Sequence, residues 1–273
     1  MKNLIEQNFL NNKVEVFIIN LKRDQQKKNK MIKMLKNFSF NFFFVEAIDG
    51  LKKKEISEEG YCDLKRRLFL GRSLLDKELA IMESHVKAIK LFSMSKSDYG
   101  LILEDDILIP EIFEQILNKI IALDYDFDLI RFINKPKFRK LRGRIVASID
   151  QKYSLIRLPK LPGGAYSYLL SKKGANKLLD MTSSYYHPID ILMGQTWKKN
   201  LNSLFCSPGM IEHPPVPEHV EINDPRYVKE NKKIISIYAY TRMFFKFYEV
   251  IMKWAHFWVK FPGDFKSRTQ KRL

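Results

Sequence analysis

The chain has 273 residues, which allows one large domain or two modest ones around a real hydrophobic core. Its formal net charge of +17 predicts an anionic partner, such as nucleic acid, an acidic membrane surface or a phosphorylated substrate. Its two cysteines, Cys62 and Cys206, exclude a disulfide framework and lack zinc-site spacing, so we expect reduced thiols in the cytosol.

Residues 1–13 are polar and rich in asparagine, and they lack the apolar segment of an export signal. No later stretch reaches the roughly 18–20 uninterrupted apolar residues of a membrane-spanning helix. We therefore expect the protein to stay on the side of the membrane on which it is made.

A strand, a helix and a second strand are predicted next, at 14–19, 25–36 and 42–45. This order is a βαβ unit, which implies two parallel strands. Asn20 and Arg23 follow the first strand, and Asp49 follows the second. Open α/β sheets bind nucleotides at the carboxyl ends of such strands, so these three side chains are candidates for a nucleotide site.

A charged, irregular segment at 52–72 precedes a long helix predicted at 74–92, where leucine, methionine and valine recur at helical spacing. His85 lies within this helix. A histidine in the middle of a helix is more often a satisfied structural residue than a ligand, so the local pattern gives it no role.

Three consecutive acids, Glu104, Asp105 and Asp106, directly follow a short apolar run that predicts a buried strand. Neighbouring carboxylates repel one another unless a cation neutralises them, and hard divalent ions prefer oxygen ligands. The cluster is therefore typical of a metal–diphosphate site. The same local pattern equally fits an acidic strand end that caps the helix predicted at 110–123.

A second acid cluster at 124–128 enters a strand predicted at 129–133. Alternating acids in such a position are usually solvated, so this cluster ranks below the first as a metal site. A glycine turn and a strand at 163–170 then lead into another helix, for which Ser171 is the expected N-cap.

Asp190 and His213 are two later candidates. Asp190 lies near the start of a short helix, where a carboxylate can cap the helix or act as a general base. His213 lies in a proline-rich loop at 208–217. A loop histidine beside prolines is more often structural than a ligand.

The C-terminal residues 226–273 contain 12 Lys or Arg against three acids. A helix predicted at 241–261 carries charged and histidine side chains every three or four residues, and aromatic and aliphatic side chains cover its remaining surface. A basic stripe beside a broad aromatic face suits a helix that lies in a membrane interface. The alternatives are a helix packed on the preceding domain and a dimer contact.

Several of these stretches together resemble glycosyltransferase family 25, the bacterial lipopolysaccharide and lipooligosaccharide galactosyltransferase family, to which the collagen galactosyltransferases are distantly related. The resembling pieces occur in the family's order. They are 17–24 (Phe-Ile-Ile-Asn-Leu-Lys-Arg-Asp), 45–50 (Val-Glu-Ala-Ile-Asp-Gly), 78–80 (Glu-Leu-Ala), 84–85 (Ser-His), 101–106 (Leu-Ile-Leu-Glu-Asp-Asp), 164–168 (Gly-Ala-Tyr-Ser-Tyr), 171–175 (Ser-Lys-Lys-Gly-Ala) and 188–190 (Pro-Ile-Asp).

The resemblance implies an α/β fold of the GT-A type, a Rossmann-like mixed, mainly parallel sheet flanked by helices. Residues 1–225 would form the catalytic domain, and residues 226–273 a C-terminal helical tail. The resemblance also implies a nucleotide-sugar donor, inversion at the anomeric carbon, and a Mn²⁺ or Mg²⁺ ion at the acidic motif 104–106.

Within this interpretation, single residues take roles. Asp106 is the first-choice metal ligand, with Glu104 and His213 as further candidates. Asp190 is the candidate base that deprotonates the acceptor hydroxyl. The residues expected to contact the nucleotide sugar are Asn20, Arg23, Asp49, His85, Glu104 and Asp105.

We therefore expect a β-galactosyltransferase that moves galactose from UDP-galactose to a lipooligosaccharide or lipopolysaccharide core acceptor. UDP-glucose or a UDP-N-acetylhexosamine is the alternative donor, and a non-catalytic basic module that binds membrane or nucleic acid is the alternative function. No nucleic-acid-binding motif is recognisable, so nucleic acid is not expected as a partner. The expected location is the cytoplasm, with the tail attached peripherally to the anionic cytoplasmic face of the inner membrane.

Overall fold

A computed structural model describes residues 13–123, 125–134, 143–214 and 237–269. Its strands are β1 (Val14–Asn20), β2 (Asn41–Glu46), β3 (Tyr99–Glu104), β4 (Leu129–Arg131), β5 (Ile133–Asn134), β6 (Arg144–Ser148), β7 (Ser154–Arg157), β8 (Ser167–Ser171), β9 (Ser203–Ser207) and β10 (Ile211–Glu212). Its α-helices are α1 (Gln25–Leu35), α2 (Asp63–Leu70), α3 (Asp76–Met94), α4 (Phe113–Ala122), α5 (Lys172–Thr182), α6 (Ile189–Leu192), α7 (Tyr238–Val259) and α8 (Phe261–Thr269).

The main sheet has eight strands in the order β2-β1-β3-β8-β4-β9-β7-β6. β1 is parallel to both of its neighbours, β2 and β3, because α1 and α3 return the chain to the same edge before each next strand. The predicted parallel pair is thus confirmed. Asn20 pairs with Glu46, and Ile19 pairs with Glu104, so the polar ends of three strands lie side by side.

The rest of the sheet is mixed. β8 runs antiparallel between β3 and β4, and β7 runs antiparallel between β9 and β6, so six of the eight strands point in one direction. β5 and β10 form a separate two-stranded parallel sheet. The predicted mixed, mainly parallel α/β sheet with flanking helices and a C-terminal helical tail is confirmed.

Both faces of the sheet are buried, which explains why its first strands read as continuous apolar runs. Side chains alternate along β1: Val16 and Ile18 face one core, and Phe17 faces the other. The first core includes buried side chains of α1 and α4. The second includes those of α3 and α5.

Several elements differ from the sequence prediction. The segment 52–72 is not irregular throughout, because α2 lies within it and ends at Gly71, whose φ is 82°. The strand expected at 129–133 is divided at Phe132, whose carbonyl accepts hydrogen bonds from Met210 and Ile211. β9 was not predicted.

The C-terminal helix α7 packs on the preceding domain through its polar side. Phe245 is buried and stacks on Phe69 of α2, with ring centroids 4.7 Å apart. Further along, Gln195 Nε2 donates to Glu249 Oε1 at 2.9 Å, and His256 Nε2 lies 3.2 Å from Asn200 Oδ1. The predicted alternative of a helix packed on the domain is therefore what the structure contains. The predicted boundary at 225 lies outside the described residues.

Asp264 anchors the following helix, α8. Its side chain is 1% exposed and accepts two hydrogen bonds from Arg157, both 2.7 Å long. Arg144 Nη1 donates to the same carboxylate at 2.8 Å, and the Tyr125 hydroxyl lies 3.2 Å away. This buried carboxylate therefore connects α8 to the edge strand β6 and its neighbour β7.

The opposite side of α7 and α8, which we call the outer face, is exposed. It consists of Tyr240, Met243, Phe244, Phe247, Tyr248, Val250, Ile251, Trp254, Trp258, Val259, Phe261 and Phe265. Within the part of the chain that the structure describes, no helix combines the length and apolar character needed to cross a bilayer.

Gly174 at the start of α5 provides a test of the packing. An added Cβ would overlap the carbonyl oxygen of Asp128, so Gly174→Ala should destabilise the protein by about 2 kcal/mol or more. Gly263 is the matched control, because no heavy atom lies within 4 Å of its Cβ position. Gly263→Ala should be neutral or stabilise α8 by up to about 1 kcal/mol. Equal urea midpoints for the two variants would contradict this packing.

Candidate active site

A cavity of about 310 Å³ opens at the edge of the sheet where β1, β2 and β3 end. Seven of the predicted site residues line it: Arg23, Asp49, His85, Glu104, Asp105, Asp106 and His213. The parallel pairing of β1 with β2 and β3 explains why these residues lie together, because the carboxyl ends of neighbouring parallel strands lie at one edge of the sheet. The structure thus brings together side chains that are far apart in the sequence.

Asp105 is held from both sides. Asn20 Nδ2 donates to its Oδ2 at 2.7 Å, and Lys27 Nζ lies 3.3 Å from its Oδ1. Burial raises the pKa of Asp105 above its ordinary value of 3.8, although Asn20 and Lys27 oppose this effect. Asn20 is buried behind Asp105 and does not line the cavity. Its clearest role is therefore to orient Asp105, and its predicted contact with a nucleotide stays a prediction.

Asp106 lies between two basic side chains. Its Oδ1 is 3.2 Å from His213 Nε2, and its Oδ2 is 3.1 Å from Lys27 Nζ. Burial alone would raise the pKa of Asp106, but His213 and Lys27 lower it to about 2. The same carboxylate raises the pKa of His213 above its ordinary value of 6.5.

The donor atoms at Asp106 suit a divalent cation. Its Oδ1 is buried, and His213 Nε2 lies 3.2 Å away. An anionic oxygen in that condition is a ligand that hard cations prefer, and Mn²⁺ also accepts imidazole. Among the described residues, no three His, Cys, Asp or Glu side chains are already gathered as they would be around an ion. The chemistry fits Mn²⁺ or Mg²⁺, and the metal stays a prediction.

Glu104 is supported by a buried histidine. His85 Nε2 lies 3.5 Å from Glu104 Oε1, and His85 Nδ1 lies 2.9 Å from the hydroxyl of Tyr168. The His85 ring is 1% exposed, and both of its nitrogens have a neighbour inside the protein. His85 therefore reaches the cavity edge while it positions Glu104. Its contact with the sugar nucleotide stays a prediction.

Arg23 and Asp49 form an ion pair that joins the segments following β1 and β2. Asp49 Oδ1 also accepts a hydrogen bond of 3.0 Å from the backbone N–H of Leu51. The next residue, Gly50, packs so closely on α3 that an added Cβ would lie 2.8 Å from the Cα of Lys77. Arg23 is therefore a member of the cavity wall as well as a surface charge.

Asp190, the predicted base, does not line this cavity. Its Oδ2 accepts from Gly164 N at 2.9 Å, and its Oδ1 accepts from Ile191 N at 2.8 Å. Its backbone carbonyl accepts from Arg131 Nη2 at 2.9 Å, where burial lowers the pKa of Arg131 to about 10. The carboxylate thus connects the first turn of α6 to the turn before β8. Its role as base stays a prediction.

The second acid cluster is structural where the structure describes it. Asp128 is fully buried and receives Lys177 Nζ at 2.5 Å and the backbone N–H of Asn202 at 2.6 Å. The expectation that the acids of this cluster are solvated is therefore wrong for Asp128, and the lower rank of the cluster as a metal site stays a prediction.

Sequence reasoning missed three site residues. Lys27 is one of several lysines on α1, and only its place in the first turn after β1 distinguishes it. Tyr168 and Arg131 face each other across the β8–β4 pair. That pairing was not predicted, so neither residue could be connected to His85 or Asp190.

The family model described as glycosyltransferase family 25 (LPS biosynthesis protein) matches residues 13–193. The chain belongs to glycosyltransferase family 25. The matched segment includes every predicted site residue except His213, which lies on the extension beyond β10. The identification made from the motifs is therefore confirmed.

Two curated relatives are the procollagen galactosyltransferases 1-B and 1-A of Xenopus laevis, which are 27% and 26% identical to this family 25 chain over 180 residues. Each match covers 61% of this chain but 28% of the relative. Among solved structures, a glycosyltransferase involved in the glycosylation of the major capsid of PBCV-1 is similar at 9% identity and a TM-score of 0.38. That similarity covers 77% of this chain and 96% of the other.

The contact between Asp106 and His213 predicts a pH dependence. Because the pKa of His213 is raised by folding, protonated His213 stabilises the fold fully below about pH 6.5. This stabilisation is lost as the pH rises through the pKa of His213 in the folded protein. Because folding lowers the pKa of Asp106, its ionised carboxylate stabilises the fold fully above about pH 3.8, and this stabilisation is lost as the pH falls towards about 2. Asp106→Asn should therefore return the His213 pKa towards 6.5 in an NMR titration, whereas Asp126→Asn at an exposed site should not. An unchanged His213 titration in Asp106→Asn would contradict the contact.

Proposed function

We propose that this family 25 member is a metal-dependent, inverting glycosyltransferase with a GT-A-like catalytic domain. It transfers galactose from UDP-galactose to the core of a lipooligosaccharide or lipopolysaccharide acceptor. One observation carries the proposal: the acids 104–106 share a cavity with Arg23 and Asp49 at the ends of three parallel strands. This is where open α/β sheets bind nucleotides, and the cavity combines the carboxylate and cationic groups that a nucleoside diphosphate and its counter-ion require.

The donor contacts follow from the charges in the cavity wall. The Arg23 guanidinium, which is half exposed, is able to donate to phosphate oxygens, and Asp49 beside it is able to accept from ribose hydroxyls. Asp105 keeps a fixed orientation through Asn20, and Glu104 does so through His85. These paired supports hold the carboxylates in position before the donor arrives, so less ordering is needed on binding.

Asp106, Glu104 and His213 are the residues that would hold the Mn²⁺ or Mg²⁺ ion. When bound, such an ion neutralises the charge that develops on the departing diphosphate. The buried Oδ1 of Asp106, which faces the further candidate ligand His213, supports its place as the principal ligand.

Inversion requires a base on the acceptor side. The acceptor oxygen bonds to the anomeric carbon while the bond from that carbon to the UDP oxygen breaks, and UDP leaves with the electron pair. Asp190 takes the proton of the acceptor hydroxyl in this proposal. Two backbone N–H groups orient its carboxylate. It lies outside the donor cavity, which supports contact with the acceptor rather than with the nucleotide.

Galactose is the proposed sugar because the curated relatives carry galactosyltransferase names. UDP-glucose and UDP-N-acetylhexosamines are the alternative donors. A screen of UDP-sugars with Mn²⁺ and truncated lipooligosaccharide, read by mass spectrometry of the product, tests the donor and the acceptor together. Transfer of another sugar would replace galactose, and no transfer from any donor would overturn the proposed activity.

Asp106→Asn is the direct test of the acidic site. The change removes the negative charge from the proposed principal ligand at nearly constant shape, so transfer should fall by about 100-fold or more. Asp126→Asn is the matched control, because Asp126 is exposed in the second acid cluster and pairs with Lys173. That variant should keep wild-type activity. Similar activity in the two variants, with equal melting temperatures, would remove Asp106 from the mechanism.

We further propose that the outer face of α7 and α8 binds the anionic cytoplasmic surface of the inner membrane, where a lipid-linked acceptor would be found. The face combines aromatic and aliphatic side chains, which suits the headgroup region of a bilayer. Both acids between 237 and 269, Glu249 and Asp264, are turned inward to protein partners, while Arg242 and Lys246 are exposed. The surface thus offers apolar area and positive charge to an anionic membrane.

Two exposed tryptophans allow a test that spares Phe245, Glu249 and His256, through which α7 contacts the domain. The double variant Trp254→Ala, Trp258→Ala removes large apolar groups from the outer face and should weaken co-sedimentation with phosphatidylglycerol vesicles by about tenfold. The Trp258 ring also lies 5.5 Å from the Arg144 guanidinium, so the melting temperature of the variant is measured as well. Met94→Ala on α3 removes an exposed side chain of the catalytic domain and should have no effect. Unchanged sedimentation of the tryptophan variant would overturn the membrane proposal. Self-association that the double variant abolishes would instead identify the face as a contact between copies.

A further inference from the structure

Lys27 lies between the two aspartates of the acidic motif. It belongs to the first turn of α1, and its ammonium is 3.3 Å from Asp105 Oδ1 and 3.1 Å from Asp106 Oδ2. The other oxygens of these carboxylates face Asn20 and His213. The Lys27 ammonium is therefore shared by one oxygen of each aspartate.

An ion held by Asp106 Oδ1 and His213 would lie on the same carboxylate whose Oδ2 faces Lys27. A divalent ion and a lysine ammonium repel each other strongly at a separation of a few ångströms, so one carboxylate does not hold both. Lys27 would have to leave when an ion binds Asp106. Its side chain is 43% exposed and lines the same cavity, so a change of rotamer is enough to move it.

The displaced ammonium needs a new anion, and a donor diphosphate supplies one. Lys27 lies one turn beyond Arg23, on the wall of the cavity in which the donor is proposed to bind. We propose that Lys27 exchanges partners: it neutralises Asp105 and Asp106 when the donor is absent, and it binds the diphosphate when the donor and the ion are present. This inference rests on the proposed function. It assigns Lys27 as a donor-binding residue and makes ion binding depend on the nucleotide.

Lys27→Met separates the two halves of the exchange by calorimetry on the full chain. Without its competing ammonium, the variant should bind Mn²⁺ alone about fivefold more tightly than the wild type. Without the Lys27 ammonium, it should bind UDP in the presence of saturating Mn²⁺ about tenfold more weakly. Lys27→Arg keeps a cation and should restore most of the UDP affinity.

Lys30→Met is the matched control, because Lys30 is exposed on the same helix and does not line the cavity. It should leave both affinities unchanged. Equal Mn²⁺ and UDP affinities in Lys27→Met and the wild type would overturn the exchange while leaving the proposed function intact. Wild-type protein that binds neither UDP nor Mn²⁺ would overturn the proposed function itself, and the inference with it.

Discussion

Three adjacent carboxylates at the end of a buried strand are the constraint on which the site depends. A partly buried carboxylate is tolerated only with hydrogen bonds or opposite charge nearby, so each acid must obtain partners from another part of the chain. Asn20 and Lys27 serve Asp105, Lys27 and His213 serve Asp106, and His85 serves Glu104. The helices α1 and α3 thus deliver two of these groups, Lys27 and His85, while Asn20 ends β1 and His213 follows β10.

The sequence predicted this edge well because the argument there is local. Each of the first strands is a short apolar run ended by polar residues, and parallel neighbours bring such ends together without any knowledge of distant contacts. Asp49 and Glu104 therefore fall in one cavity, as expected. The insertion of β8 between β3 and β4 depended on long-range pairing, which no local pattern reports. Tyr168 was missed for that reason, and Lys27 because nearby lysines look alike in sequence.

The C-terminal helix shows a different limit of sequence patterns. Helical periodicity correctly separated a polar stripe from an aromatic face, but a period states only that two faces exist. From Glu249 onwards the polar stripe faces the domain, because Glu249, His256 and, on α8, Asp264 find partners there. Arg242 and Lys246, at the start of the stripe, are exposed. The aromatic face of α7 stays exposed although the helix is packed on the domain. A large exposed apolar face indicates an interaction surface, which helical periodicity alone does not.

Glu104, proposed to act on the donor, and Asp190, proposed to act on the acceptor, are connected by a chain of contacts through the interior of the protein. Glu104 contacts His85, His85 contacts Tyr168, and Tyr168 faces the buried Arg131, which binds the carbonyl of Asp190. Each step joins side chains or backbone on regular elements, so the distance between the donor side and the acceptor side is set by the sheet rather than by loops. In-line displacement demands such a fixed separation, because an error of about 1 Å in the approach of the reacting atoms can reduce the rate 100-fold. The buried guanidinium binds a backbone carbonyl of Asp190, so it places the residue while leaving the carboxylate to its own partners.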